Sequence, residues 1–261
     1  MTTAKDQDAN RQLPAKLGPD FSEALSRGLQ VMSVFSTSLR PMSLSDLARA
    51  VDLPRATVRR SLNTLVHLGY LEEEGRLFRP TPKVLELAHA YLVSNAVSTV
   101  LQTTCDRLVR STGQSCSAAV LDGSDIVMIA RSVPAQVIAA GAGIGFRLPA
   151  ARTALGRVLL SAMPDDQLDR ALRAMRLEPP IDPVGLKAIL SGVRTAGFSY
   201  VDQEAEAGFS SIAVSVQRFD GMTVASLNIG GPSNRLSREV AVHEYLPLLR
   251  NASQQLCRQI V

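Results

Sequence analysis

The sequence predicts an α+β fold in two parts: a small helical head closed by a hairpin, then a larger unit of interleaved strands and helices. Three observations predict it. Between 22 and 68 apolar residues recur at helical spacing, and a short hairpin pattern follows at once over 70–80. Helical spacing then continues to Ser111. Beyond Thr112-Gly113, strand-like runs alternate with helical ones to the C-terminus, which is the pattern of an α+β unit. A chain of 261 residues is ample for two domains. The expected divisions are an N-terminal arm over 1–20, a helical head with its hairpin over 21–82, a helical linker over 83–111 and a second domain over 112–261.

The arm mixes charge, Gln, Pro and Gly without periodicity. From Ser22, the residues Leu25, Leu29, Met32, Val34 and Phe35 fall on one helical face, and Arg40-Pro41 breaks that helix. Ser43 or Ser45 caps a second helix, whose stripe is Leu44, Leu47, Ala48 and Val51. Asp52-Leu53-Pro54 turns the chain, and Pro54 suits the first turn of a third helix. That helix buries Val58, Leu62, Leu65 and Val66 and ends at Gly69. Tyr70 and Leu71 enter the hairpin, Glu74-Gly75 turns it, and Leu77 and Phe78 leave it. Helix, helix, turn, helix, hairpin is the order of a winged helix-turn-helix.

Two helices are expected next, from Lys83 and over 97–111. In the second domain, 116–121 and 125–130 form a hairpin about Asp122-Gly123, and 136–140 and 146–148 are further strand candidates. Helices are expected over 153–162, 165–175 and 182–195, strands over 198–201, 211–216 and 224–229, and a last helix over 239–260 kinked by Pro247.

Composition removes several classes. With 46% hydrophobic residues the chain is not disordered throughout. Its 28 basic and 24 acidic residues leave a net charge of +4, too balanced for a protein that coats nucleic acid by charge alone. The uncharged stretch 132–146 is short of the roughly 20 apolar residues of a membrane span, and it carries three glycines and Pro134. The N-terminus has no apolar secretory core, so a cytoplasmic protein is expected. Cys105, Cys116 and Cys257 lie far apart, as do His67, His89 and His243, so neither a disulfide framework nor a metal site is expected, and no cofactor.

The third helix is the sharpest chemical signal. A helix entering the major groove needs polar and basic residues toward its N-terminal end and apolar residues behind. Arg55, Thr57, Arg59, Arg60 and Asn63 supply the first set, Val58 and Leu62 the second, and no acid interrupts before Gly69. Arg76 and Arg79 in the hairpin suit phosphate or minor-groove contact. Glu72-Glu73-Glu74 is awkward for such a wing; those acids either point away from phosphate or confine contact to the two arginines.

The competing class is an enzyme acting on a small organic acid. Asp202 and Glu204 form a conceivable acid/base pair. No Gly-x-Ser-x-Gly elbow, P-loop or dinucleotide fingerprint occurs, and Ser210-Ser211 has no nearby His, so no catalytic residue is assigned.

The order Ser43-Leu-Ser-Asp-Leu-Ala48, Leu53-Pro-Arg-Ala-Thr-Val-Arg-Arg60, Leu65-Val-His-Leu-Gly-Tyr-Leu71 and Leu77-Phe-Arg-Pro-Thr-Pro-Lys-Val-Leu-Glu-Leu87 resembles the IclR family of bacterial transcriptional regulators. Leu148-Pro-Ala-Ala-Arg-Thr-Ala-Leu-Gly-Arg-Val-Leu-Leu160 is similar to that family's effector-domain helix, and 197–204 with 208–214 to its late-strand signature. The resemblance spans about 21–261 and is strongest to the Pca/Pob-type branch at 23–29, 156–160 and 201–204.

The resemblance implies a GAF-like effector-binding domain, dimers that often pair into tetramers, operator DNA as partner and control of a catabolic operon. The effector it implies is a small carboxylic acid: protocatechuate, 4-hydroxybenzoate or β-ketoadipate in class. An IclR-type repressor answering to an unrelated metabolite is the alternative. By the same resemblance, Thr153, Ala154 and Leu155 fall at the ligand-facing turn, Ser211 and Asn228 at ligand-contacting positions with Gly230 beside them, and Val137 and Ala140 on the apolar side. Arg152 departs from the family's smaller residue; it either holds a carboxylate or points to solvent.

Overall fold

The computed structural model describes residues 18, 20–36, 38, 40–94, 96–135, 143–175 and 181–260. They form two compact units, Met1–Tyr91 and Leu92–Val261. The strand candidate at 136–140 and nearly all of the expected arm lie outside the described residues.

The first unit packs α1 (Glu23–Val34), α2 (Leu44–Ala50) and α3 (Arg55–His67) against a three-stranded sheet. Its strands are β1 (Met42–Ser43), β2 (Leu71–Glu74) and β3 (Leu77–Pro80), in the order β1-β3-β2. The third strand, β1, was not expected, because two residues are too short to show alternation. Its place comes from pairing Met42 with Phe78 and Ser43 with Leu77. Of the two candidate caps it is Ser43 that acts. Its hydroxyl accepts the Asp46 N–H at 3.3 Å and donates to the Asp46 carboxylate at 2.6 Å. Asp52 makes the turn into α3 with φ 51°, a left-handed conformation that Asp tolerates better than most residues. Val31, Leu47, Val58, Leu62, Leu71 and Phe78 are buried together, so one small core locks α3 to the hairpin. After β3 comes α4 (Val84–Ser94).

The second unit is a six-stranded antiparallel sheet with helices on both faces. Its strands are β4 (Ser115–Asp122), β5 (Asp125–Ser132), β6 (Arg147–Pro149), β7 (Ser199–Asp202), β8 (Phe209–Gln217) and β9 (Thr223–Pro232), in the order β6-β5-β4-β9-β8-β7. The helices are α5 (Ala96–Thr112), α6 (Ala154–Ser161), α7 (Asp165–Ala174), α8 (Pro183–Ala196), α9 (Arg238–Val240) and α10 (Leu246–Cys257). On one face α5 buries Leu101, Cys105 and Leu108, and α10 buries Leu246, Leu249 and Leu256, against Ala118, Ile212, Leu227 and Ile229 of the sheet. On the other face α6, α7 and α8 pack over Ala119, Ile126, Val201 and Ala213.

Within the C-terminal helical segment a π-helical turn, Ala241–Tyr245, precedes Pro247, which sits in the first turn of α10. The wider turn absorbs the missing N–H and the ring. No single helix among the described residues is long and apolar enough to cross a membrane.

Candidate functional site

In the first unit the apolar side of α3 is anchored by Val58 and Leu62, both fully buried. Helical geometry then leaves Arg55, Arg59, Arg60 and Asn63 exposed, with Thr57 half-buried. Arg76 and Arg79 are exposed on the hairpin. The structure therefore collects all seven residues expected at the nucleic-acid surface into one small unit. Arg59 Nη1 lies 3.4 Å from Glu73 Oε1. Arg79 Nε donates to Glu72 Oε1 at 2.6 Å, and its Nη2 lies 3.8 Å from Glu74 Oε2. Each of the three wing acids engages an arginine.

In the second unit, cross-strand register decides which polar residues share a face. Ser117 pairs with Arg131 on one side and with Asn228 on the other, and Asn228 pairs with Ala213. Cross-strand partners point the same way. Ala213 lies in the core beneath α6, so Arg131, Ser117 and Asn228 form a polar row on the α6 face. The next row is Ser115, Gly230, Ser211 and Val201. Ser117, Ser211 and Asn228 are at most 8% exposed, in surroundings that are otherwise apolar.

Of the residues expected here, Ser211, Asn228 and Gly230 do come together on this face. The Asn228 side-chain oxygen accepts the Ser117 N–H at 2.9 Å, so half of the amide is spent on the sheet. Gly230 has a definite neighbour: a Cβ there would lie 2.5 Å from Cζ of Phe209, whose ring occupies that space. Thr153 is buried and caps α6, its hydroxyl accepting the Gly156 N–H at 3.0 Å. Ala154 and Leu155 are buried in the core against the sheet. Arg152 ends the 3-10 turn Ala150–Arg152 and is half-buried. Val137 and Ala140 lie outside the described residues.

Sequence reasoning missed Arg131, Ser117 and Phe209. Arg131 Nη1 lies 3.3 Å from the Ser117 hydroxyl, while its Nε is buried with no hydrogen-bond partner among the described residues. Burial pulls this guanidinium below its usual pKa, and the charge of Glu206 opposes that. The signal was a lone cation closing the apolar run 126–130 of a strand. Phe209 was legible only as a strand residue; its seat on Gly230 depends on register across β8 and β9.

Two family models match the chain: the IclR helix-turn-helix domain over 24–75 and the C-terminal domain of the bacterial transcriptional regulator IclR over 89–258. The chain belongs to the IclR family of transcriptional regulators. The Pca regulon regulatory protein of Pseudomonas putida is 39% identical over 93% of this chain and 85% of its own length. A transcriptional regulator from Rhodococcus sp. RHA1 is 40% identical, with a TM-score of 0.78 over 92% of this chain and 98% of that one. The inducer-binding domain of PobR from Acinetobacter, a double mutant in complex with 3-hydroxybenzoic acid, is 31% identical. It has a TM-score of 0.58 and covers 62% of this chain and 98% of its own.

Within this IclR-family chain the two carboxylates that suggested acid/base chemistry have structural partners. Glu204 takes a two-pronged ion pair from Arg157, Nη1 to Oε1 at 2.8 Å and Nη2 to Oε2 at 2.5 Å, while Arg157 Nε donates to the Ala151 carbonyl at 2.9 Å. Asp202 accepts the Ser210 hydroxyl at 2.5 Å. Glu204 ties the loop after β7 to α6, and Asp202 joins β7 to β8. Among the described residues no cluster of three or more His, Cys, Asp or Glu side chains is placed to hold a metal ion.

Proposed function

We propose that this IclR-family chain binds operator DNA through α3 and the β2–β3 wing, and senses a small aromatic or dicarboxylic acid on the α6 face of its sheet. The acid is of the protocatechuate, 4-hydroxybenzoate or β-ketoadipate class. The observation that carries the effector reading is Arg131. A buried guanidinium nitrogen with no acceptor costs about 1–3 kcal/mol, and a carboxylate removes that cost with paired, charge-assisted hydrogen bonds. Ser117, Ser211 and the amide N–H groups of Asn228 supply partners for a hydroxyl or keto oxygen, and Ala154, Leu155 and the Phe209 ring supply apolar surface. Arg152 offers a second cation for a dicarboxylate. The names of the Pca regulatory protein and the 3-hydroxybenzoic acid complex of the PobR domain favour the same ligand class.

The protein acts by binding, without turnover, as a cytoplasmic homodimer or dimer of dimers. The 83–111 segment couples effector state to the placement of the two heads. An effector that binds two arrangements unequally shifts operator affinity, and the operator shifts effector affinity by the same factor. Calorimetric titration with the three acids tests the ligand class, and NMR of the same mixtures checks that each acid is recovered unchanged. At least one acid binds, and Arg131→Gln weakens it about tenfold or more while the melting temperature holds, as for loss of a charged hydrogen bond. Failure of all three acids, with an unrelated metabolite binding instead, overturns the ligand class.

A further inference from the structure

If α3 enters the major groove, the three wing acids come close to phosphate, which repels them. The hairpin register gives them unlike positions. Glu73 pairs with Phe78, whose side chain is buried in the head core, so Glu73 leaves the edge strand on the side of α3. Glu72 pairs across the ladder with Arg79. Glu73 thereby reaches Arg59, the two side chains being 31% and 49% exposed. Among the described residues no ion pair is made by Arg55, Arg60 or Arg76, so the wing acids restrain some of the interface arginines and leave others unrestrained.

We propose that Glu73 is a positioning and specificity-determining residue of the recognition helix: it holds Arg59 against the wing and yields it only to a duplex that offers a better acceptor. The inference rests on the reading of α3 as the DNA-reading helix. An exposed arginine–carboxylate pair is worth no more than about fivefold in affinity, so it breaks readily when repaid. A guanine edge repays it with two hydrogen bonds in fixed geometry. A phosphate of arbitrary sequence gives a weaker, orientation-tolerant contact and adds repulsion from the released carboxylate. Glu73 therefore weakens non-specific complexes more than the specific one.

The test uses the full chain and two duplexes: one that the unmodified protein enriches from a random library, and a scramble of the same composition. Glu73→Gln raises affinity for the scramble about fivefold, raises affinity for the enriched duplex less, and steepens the salt slope on the scramble by about one. In an Arg59→Ala background most of that gain disappears. Glu73→Ala is run beside it, so that a folding defect in one variant does not decide the outcome. An unchanged ratio between the duplexes, or the same gain without Arg59, overturns the proposal; the latter means that Glu73 repels DNA directly. Arg55→Ala and Arg60→Ala separate the two levels. If both bind like the unmodified chain, the reading of α3 fails; if both lose affinity while Glu73→Gln leaves the ratio unchanged, only the role of Glu73 falls.

Discussion

Asn228 serves the sheet. Its carbonyl accepts the Ser117 N–H, so Asn228→Ala leaves a buried donor without its partner and lowers stability by about 1–3 kcal/mol in addition to any effect on the effector. Ser211 carries no such duty among the described hydrogen bonds. Ser211→Ala is expected to weaken effector binding with the melting temperature held, a separation that calorimetry and thermal unfolding read together. Gly230 gives a sharper expectation. Gly230→Ala puts a methyl into the Phe209 ring and is expected to cost about 1–3 kcal/mol, and Phe209→Ala in the same chain recovers part of that loss. Denaturant unfolding of the two single variants and the double variant checks it; strictly additive losses would mean that the ring does not fill that space.

Among the elements, α2 owes its start to a reciprocal pair. Asp46 is held below the ordinary carboxylate pKa, first by the Ser43 hydroxyl, against the opposing effect of desolvation, and then by the Ser43 backbone and Arg49. Its folded pKa is depressed, so its contribution to stability is present above the unfolded pKa and disappears as pH falls through the folded one. Asp46→Asn is expected to flatten the acid limb of the head's stability curve below the usual carboxylate range, leaving the neutral-pH plateau lower but level. Melting followed across acid pH measures it, and an unaltered acid limb would refute the pairing. The contact of α5 with β4 makes a chemical statement of the same kind. Cys105 and Cys116 are fully buried, and burial pushes the Cys116 thiol well up. Of the three thiols only half-buried Cys257 is expected to react with iodoacetamide in the native protein, which mass spectrometry of the labelled chain counts.

The molecule as a whole keeps its cores apart. The core of Val31, Leu62 and Phe78 lies wholly in the first unit, and both larger clusters lie in the second. Leu62→Ala is expected to destabilise the head by about 2–5 kcal/mol and to abolish duplex binding on warming, with effector affinity unchanged. Leu227→Ala is expected to do the reverse. Calorimetric unfolding with parallel DNA and effector titrations distinguishes them; an effector defect in Leu62→Ala would show that the cores are not independent. The net charge of +4 has the same two-part logic, being an average over unlike surfaces. The exposed face of α3 is basic, and the acids beside it are already engaged by Arg59 and Arg79.

What local rules govern was legible along the chain. Periodicity, caps and turn residues placed the three head helices and the wing, the hairpin at Asp122-Gly123 and the order of the later helices and strands, because each depends on neighbours a few positions away. The arginine face of α3 was legible for the same reason: two helical turns suffice to divide Arg55, Arg59 and Arg60 from Val58 and Leu62. Other features waited for the tertiary structure because they join residues far apart in the chain. Arg131 meets Ser117 and Asn228 only through the register of three strands. The two-residue β1 exists only because Phe78 is there to pair with Met42. Glu73 reaches Arg59 because the edge strand packs beside α3, and Glu204 is taken up by Arg157 across 47 positions of chain. Spacing along a sequence says which residues share a face of one element; which faces meet is decided by the packing that buries them.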